Sequence, residues 1–330
     1  MRRNPRIIFG ICLLALLLAA LGSLALGASF LPVQEFIRAI AENDRNAPAY
    51  AILVHIRLPR LLGAMLTGAA LAGAGAVLQK MLLNPLAAPR VIGINSGAGF
   101  FALSAMLLFP GTLLAAPAGA FLGALLAALL VYALSSIAGN SKSSIILSGV
   151  ALSALLGACS DALVTLFPDA AFSRSLFSIG GFESVSFQQI KGVLPFWLLG
   201  LMLPFFFSKE LSLLSLGDES AQSMGLRIKL FRLIFLSAAA LLSASAVSLS
   251  GLIGFVGLMA PHMARLLLPR HPARHFSLSL LLGALLCVGC DLIARLLFAP
   301  YELPVGIVLS FLGAPFFLFL LLSKKRRNAA

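Results

Sequence analysis

Residues 214–225 read Leu214-Ser-Leu-Gly217-Asp218-Glu219-Ser220-Ala221-Gln222-Ser223-Met224-Gly225, a polar segment between two long apolar runs. In a chain otherwise rich enough in apolar residues to fill a bilayer, this interruption separates membrane-grade sequence from a surface element. Gly217 and Gly225 bracket it as start and stop signals for a short helix. Spacing alone leaves two readings open: a polar helix at the membrane surface, pressed against a soluble partner, or a solvated loop.

The flanking sequence fixes the class. Of 330 residues, 60% are hydrophobic and only 11% charged, with a mean hydropathy of +1.05. No core could hide that much apolar surface from water. The chain is therefore expected to be an all-α polytopic membrane protein, a single transmembrane domain over 1–330 with about ten transmembrane helices. The expected spans are 7–29, 61–82, 94–109, 112–137, 144–167, 192–207, 230–249, 253–267, 276–298 and 304–322. Glycine punctuates most of them, which predicts close helix packing. The first run follows Arg2, Arg3 and Arg6 and exceeds the roughly 7–15 residues of a signal h-region, so an uncleaved span is expected.

Lys and Arg are retained on the cytoplasmic side of short loops. With both termini inside, most of the 24 Lys and Arg fall there, including Arg2, Arg3, Arg6, Lys80, Arg90, Lys142, Arg227, Arg265 and the Lys324 to Arg327 run. Arg38, Arg45, Arg57, Arg60, Arg174 and Lys191 fall outside, and Arg295 lies within a span. The net charge of +13 then reads as topology and attraction to anionic membrane lipid. No nucleic acid partner is expected, since no basic face is interleaved with aromatics.

Signals for chemistry are few. No G-x-x-x-x-G-K-[ST] loop occurs, so ATP is not expected on this chain. Gly97-Ala-Gly99-Phe-Phe-Ala102 fits a dinucleotide fingerprint in form, but it opens an apolar span with no preceding strand and reads better as a close-packing helix face. Cys287-Val-Gly-Cys290 has metal-ligand spacing inside a Leu-rich helix without nearby His, which favours small packing residues; no metal, cofactor or catalytic residue is expected. Ionisable groups in hydrocarbon cost on the order of 2.5–3.5 kcal/mol on insertion scales, so Asp161, Asp291 and Arg295 carry weight. Asp291 and Arg295 are four apart and can pair across one turn, with Arg295 within reach of the outer surface; Asp161 has no local partner. An ion-coupled secondary transporter would present more mid-membrane carboxylates, often on broken helices in matching halves.

Taken together, the motifs resemble the FecCD-type permease subunit of type II ABC importers, the family for ferric siderophores, haem and cobalamin. Four blocks carry the resemblance: Arg57-Leu-Pro-Arg60; Gly75-Ala-Val-Leu-Gln-Lys-Met-Leu-Leu-Asn84-Pro-Leu-Ala87; Ser250-Gly-Leu-Ile-Gly-Phe-Val-Gly-Leu-Met-Ala-Pro-His262-Met-Ala-Arg265; and Asp291-Leu-Ile-Ala-Arg295 running on to Glu302-Leu-Pro-Val-Gly306. With the polar segment they reach from about Leu53 to the C-terminus. One departure stands at Phe177-Ser-Ile-Gly180-Gly181-Phe182, where the family usually carries a Trp and a Gly-Ser pair.

The resemblance implies a type II permease fold in a bacterial inner membrane, working as a homodimer above a separate ABC ATPase that binds the ATP and Mg. It implies a coupling segment at about 214–228, with Leu216, Gly217, Asp218, Glu219, Ser220, Ala221, Gln222, Ser223, Met224 and Gly225 in the ATPase cleft. Arg57, Arg60 and Arg295 match the arginines that receive acidic residues of a substrate-binding protein. Asn84, Leu86, Ser143 and Ser144 are candidates for a cytoplasmic gate. The expected cargo is an iron chelate, a ferric siderophore above all, with cobalamin or haem as alternatives within the family and ion-coupled transport as the alternative outside it.

Overall fold

The computed structural model describes residues 4–26, 48–139, 141–269, 271–297, 299 and 301–328, and among them every regular element is a helix. In chain order these are α1 Pro5–Ala25, α2 Pro48–Met81, α3 Ile94–Leu108, α4 Ala115–Ile137, α5 Lys142–Leu166, α6 Ala170–Ile179, α7 Phe187–Phe206, α8 Ser208–Leu214, α9 Asp218–Ser223, α10 Ile228–Ser250, α11 Val256–Leu267, α12 His275–Leu296 and α13 Val305–Asn328. A π-helical turn, Ile52–Arg57, widens α2 near its start.

Each of the ten expected spans coincides with a helix. Among the described residues seven are long and apolar enough to cross a membrane alone, α3 and the Val305–Phe319 part of α13 are shorter apolar stretches, and α11 has only 12 residues. The boundaries shift where local chemistry was misread. The span expected from 192 starts at Phe187, because Ser186 and Gln189 form a reciprocal capping box (3.0 and 3.3 Å) ahead of the apolar run. The span expected from 253 starts at Val256, after a turn in which Gly251 (φ +67°) and Phe255 (φ +66°) both adopt left-handed backbone. For Phe255 that conformation carries strain. The first span ends at Ala25; positions 27–29 lie outside the described residues. Three short helices, α6, α8 and α9, were not expected as spans and are not long enough to be any.

Burial orders the bundle. The most apolar stretch of α2 is 83% buried and that of α10 is 78%, against 22% for α1 and for α7. α2 and α10 therefore form the centre, and α1 and α7 face outward with apolar side chains, as lipid-facing helices do. α2 packs on α10, α11 and α12, while α3 packs on α4. Glycine permits these approaches at backbone distance. A Cβ on Gly68 would lie 2.6 Å from the Gly283 carbonyl carbon of α12, and one on Gly75 2.6 Å from that of Gly257 in α11. Gly97, from the formal dinucleotide motif, meets Gly123 and Ala127 of α4 in the same way. Cys287 and Cys290 are buried packing residues in α12.

Candidate functional site

Three places carry the polar chemistry. The first is the quoted polar segment at one end of the bundle. Gly217, at φ +105°, starts α9, and Gly225, at φ +82°, ends it, as the glycine punctuation predicted. Asp218, in the first turn of α9, is held by two cations: Arg232 Nη2 at 2.9 Å and Lys142 Nζ at 3.3 Å. These tie α9 to α10 and α5. Ala221 is completely buried and anchors α9 to the main core. The other face is open, with Leu216, Glu219, Ser220, Gln222, Ser223 and Met224 all exposed. Of the ten residues singled out for coupling, Ala221 therefore points inward, which a six-residue helix is too short to reveal by periodicity.

At the same end, Asn84 Oδ1 accepts a hydrogen bond from the Leu86 amide at 2.9 Å, shaping a turn on which Leu86 is exposed. Ser143 is exposed at the start of α5. Ser144 is buried, with its amide donating to Ser141 Oγ at 3.0 Å and its hydroxyl 3.1 Å from that of Ser135. It fastens α4 to α5.

The second place is the opposite end of α2 and α12. Arg57, Arg60 and Arg295 come together there, and all three are buried. Arg60 donates to Asp291 through Nε (3.1 Å) and Nη2 (2.9 Å), and to Glu302 through Nη1 (2.6 Å). Asp291 also lies 3.2 Å from Arg295 Nε, the expected pair across one turn. Arg57 donates to the carbonyls of Leu24 (2.6 Å) and Ala25 (3.0 Å), and Arg295 to those of Ser23 (3.2 Å) and Leu26 (3.3 Å) and to Ser23 Oγ (2.6 Å). Two guanidiniums thus satisfy the orphan carbonyls at the end of α1, where cations complement the helix dipole. Arg295 is accordingly not open to the surface. Asp161 is corrected as well: its carboxylate is paired with Arg174 Nη1 at 2.7 Å and is largely exposed.

The third place is a set of recesses at mid-height. The end of α6, the turn between α10 and α11 and the start of α13 meet there through backbone hydrogen bonds, Gly181 N to Ser250 O (2.9 Å), Leu252 N to Phe177 O (2.9 Å) and Gly306 N to Gly180 O (3.3 Å). One recess of about 290 Å³ lies among α3, α5, α6 and this turn, and another of about 620 Å³ lies against α13. Both are bordered by Arg90, which sequence reasoning had placed in a cytoplasmic loop. The segment between α2 and α3 folds back into the bundle instead: Ala87, Ala88 and Ile92 are buried, and Arg90 Nη1 approaches Gly254. Pro85, Pro89 and Gly93 were the available signal that this stretch is built rather than loose.

Comparison with known proteins places this geometry. The model of the FecCD transport family matches residues 13–323. The chain is 34% identical over 328 residues to the Fe(3+)-citrate import system permease protein YfmD of Bacillus subtilis, covering 99% of this chain and 97% of that protein. It is 34% identical to the hemin transport system permease protein HmuU of Yersinia pestis, covering 99% of both. It is 36% identical to the achromobactin transport system permease protein CbrC of Dickeya dadantii, covering 96% and 91%. Among solved structures, a metal-chelate type ABC transporter in an inward-facing conformation superposes with a TM-score of 0.85 at 29% identity, covering 97% of this chain and 100% of that one.

Proposed function

The chain belongs to the FecCD transport family, and on that premise we propose that it is the membrane-spanning subunit of an ATP-driven importer whose cargo is an iron chelate handed over by a substrate-binding protein. The observation that carries this reading is α9. A helix anchored by Ala221 and Asp218, with Leu216 and Met224 exposed beside Glu219 and Gln222, is a rigid surface suited to a partner. Since the chain has no phosphate-binding loop of its own, that partner is the ATPase subunit, which holds the ATP and Mg. Two copies of the chain would stand side by side in the lipid above an ATPase pair, with both termini and α9 on the cytoplasmic side.

Closure of the ATPase pair moves α9, and with it α10 through Arg232 and α5 through Lys142, as a rigid-body rearrangement. Asn84, Leu86 and Ser143, at the α9 end, stand where a cytoplasmic gate would close, and Ser144 holds the helix that carries it. The binding protein docks at the opposite end. There the buried Arg57, Arg60 and Arg295 hold α1, α2 and α12 in place behind the surface it meets, with Glu302, partly exposed, at the rim. Electrostatic contacts at such a rim set orientation and encounter rate more than affinity.

The iron chelate follows from the relatives, which carry citrate-, hemin- and achromobactin-transport names. Ion-coupled transport finds no support in the spans of the described residues, where Asp161 and Asp291 are both ion-paired. Isolation of the tagged chain from its native membrane in mild detergent tests the reading. An ATPase subunit bearing Walker motifs is expected in near-equal amount, and its absence would remove the importer assignment.

A further inference from the structure

Arg90 is exposed on the single chain and borders three recesses between the helices. Those recesses also reach Leu71, ten residues or about 15 Å before the end of α2, and Ala314 and Pro315, about ten residues or 14 Å along α13 from its start at 1.5 Å per residue. An arginine at that depth, left to hydrocarbon, is costly, and such residues face a partner or a water-filled path. Among the described residues Arg90 makes no side-chain hydrogen bond or ion pair, and no carboxylate lines any of the three recesses it borders. The other cation there, Arg174, is already matched by Asp161. Around Arg90 the walls combine apolar side chains, Leu252 and Phe311 among them, with the hydroxyls of Ser96, Ser160, Ser178 and Ser310. Asn95 Oδ1, also on these walls, is buried without a partner. The uncapped start of α3 opens on the same space and adds to the positive potential without setting it alone.

We propose that these recesses form an anion-selecting section of the passage, in which Arg90 receives a chelate of net negative charge through its carboxylate-type oxygens while the serine hydroxyls and Asn95 hydrogen-bond its remaining polar groups. This rests on the importer reading and narrows it: the cargo is an anionic, oxygen-rich ferric complex rather than a neutral or cationic one. The guanidinium supplies charge and a planar pair of donors, and a single fixed cation on a narrow, low-dielectric path biases occupancy by charge sign, as charged linings do in ion pores.

Thiol chemistry reads that bias without knowledge of the cargo. In membranes carrying the full chain with Ser310→Cys, modification rates are compared for an anionic and a cationic methanethiosulfonate of similar size. The wild-type chain serves as blank, since Cys12, Cys287 and Cys290 are buried and Cys159 is partly so. The anionic-to-cationic rate ratio is expected to fall about tenfold on adding Arg90→Gln and to be retained with Arg90→Lys, which also shows that the site folds. An unchanged ratio in Arg90→Gln overturns the proposal. Millimolar ferric citrate should then slow modification at Ser310→Cys, and a neutral ferric trihydroxamate should not; equal protection by both overturns the choice of substrate class. A preserved charge bias in a chain that isolates without any ATPase would sink the importer reading and leave the anion site standing, whereas a co-isolated ATPase with no charge bias would do the reverse.

Discussion

Two ionic clusters sit at opposite ends of this molecule, and they differ in what they leave open. At the end that holds Arg60, Asp291, Arg295 and Glu302, the charges close on one another and on the carbonyls of α1, with Arg60 and Asp291 side chains 7% and 2% exposed. At the α9 end, Asp218 is 38% exposed, and it orients a helix whose outer face has no partner within the described residues. One cluster assembles the chain; the other presents it. The difference lies in the burial of the carboxylate rather than in the number of ion pairs: Asp291 is desolvated and depends on every partner, whereas Asp218 keeps solvent although its partner Arg232 is buried.

The contrast can be broken most directly at Asp291. Asp291→Asn leaves Arg60 and Arg295 buried around a neutral amide, with an expected loss of about 3–5 kcal/mol, read as a lower thermal midpoint in detergent and reduced recovery of monodisperse protein. The α9 end should respond in function rather than stability. Met224→Asp adds a charge to the exposed face and is expected to cut chelate uptake more than tenfold while unfolding and ATPase turnover stay near wild type; normal uptake would remove α9 from the coupling role. Ala221→Asp, by contrast, should fail to fold because that position is fully buried.

Smaller effects sharpen the boundary between the two ends. Asp218→Asn breaks the pairs to Arg232 and Lys142; the position itself and Lys142 keep solvent, while Arg232 is buried, so about 1–3 kcal/mol is expected, less than at Asp291 where both partners of the carboxylate are buried with it. A loss as large as that of Asp291→Asn, measured in parallel melts, would mean that burial does not separate the clusters. Glu302→Gln removes one partner of Arg60 at the rim while Asp291 remains, and about 1 kcal/mol or less is expected. If that change were to cost several kcal/mol instead, Glu302 would belong with the buried set.

The helices were legible because apolar runs and glycine breaks are local features, and the α9 segment was legible because polarity there contradicts its surroundings. The Asp291–Arg295 pair was readable at four-residue spacing. The pairing of Arg60 with Asp291, 231 positions away, was not, since nothing in either neighbourhood announces the other. The same limit hid Arg90. A charge between two spans counts as a loop charge until tertiary packing buries Ile92 and draws the segment back beside Gly254. Exposure was misjudged at Arg57, Arg60 and Arg295 for a related reason: position near a span end indicates depth, but not which neighbours lie above.

The contact of Gly68 with Gly283 also bears on how such a protein can change through descent. No volume separates the two backbones, so neither position can gain a methyl group, alone or together with the other, and neutral drift has no route through that seam. The walls around Ser178 and Ser310 face empty space instead. They can be altered one residue at a time, so a lineage could acquire a new cargo while the frame that holds the helices stays as it was inherited.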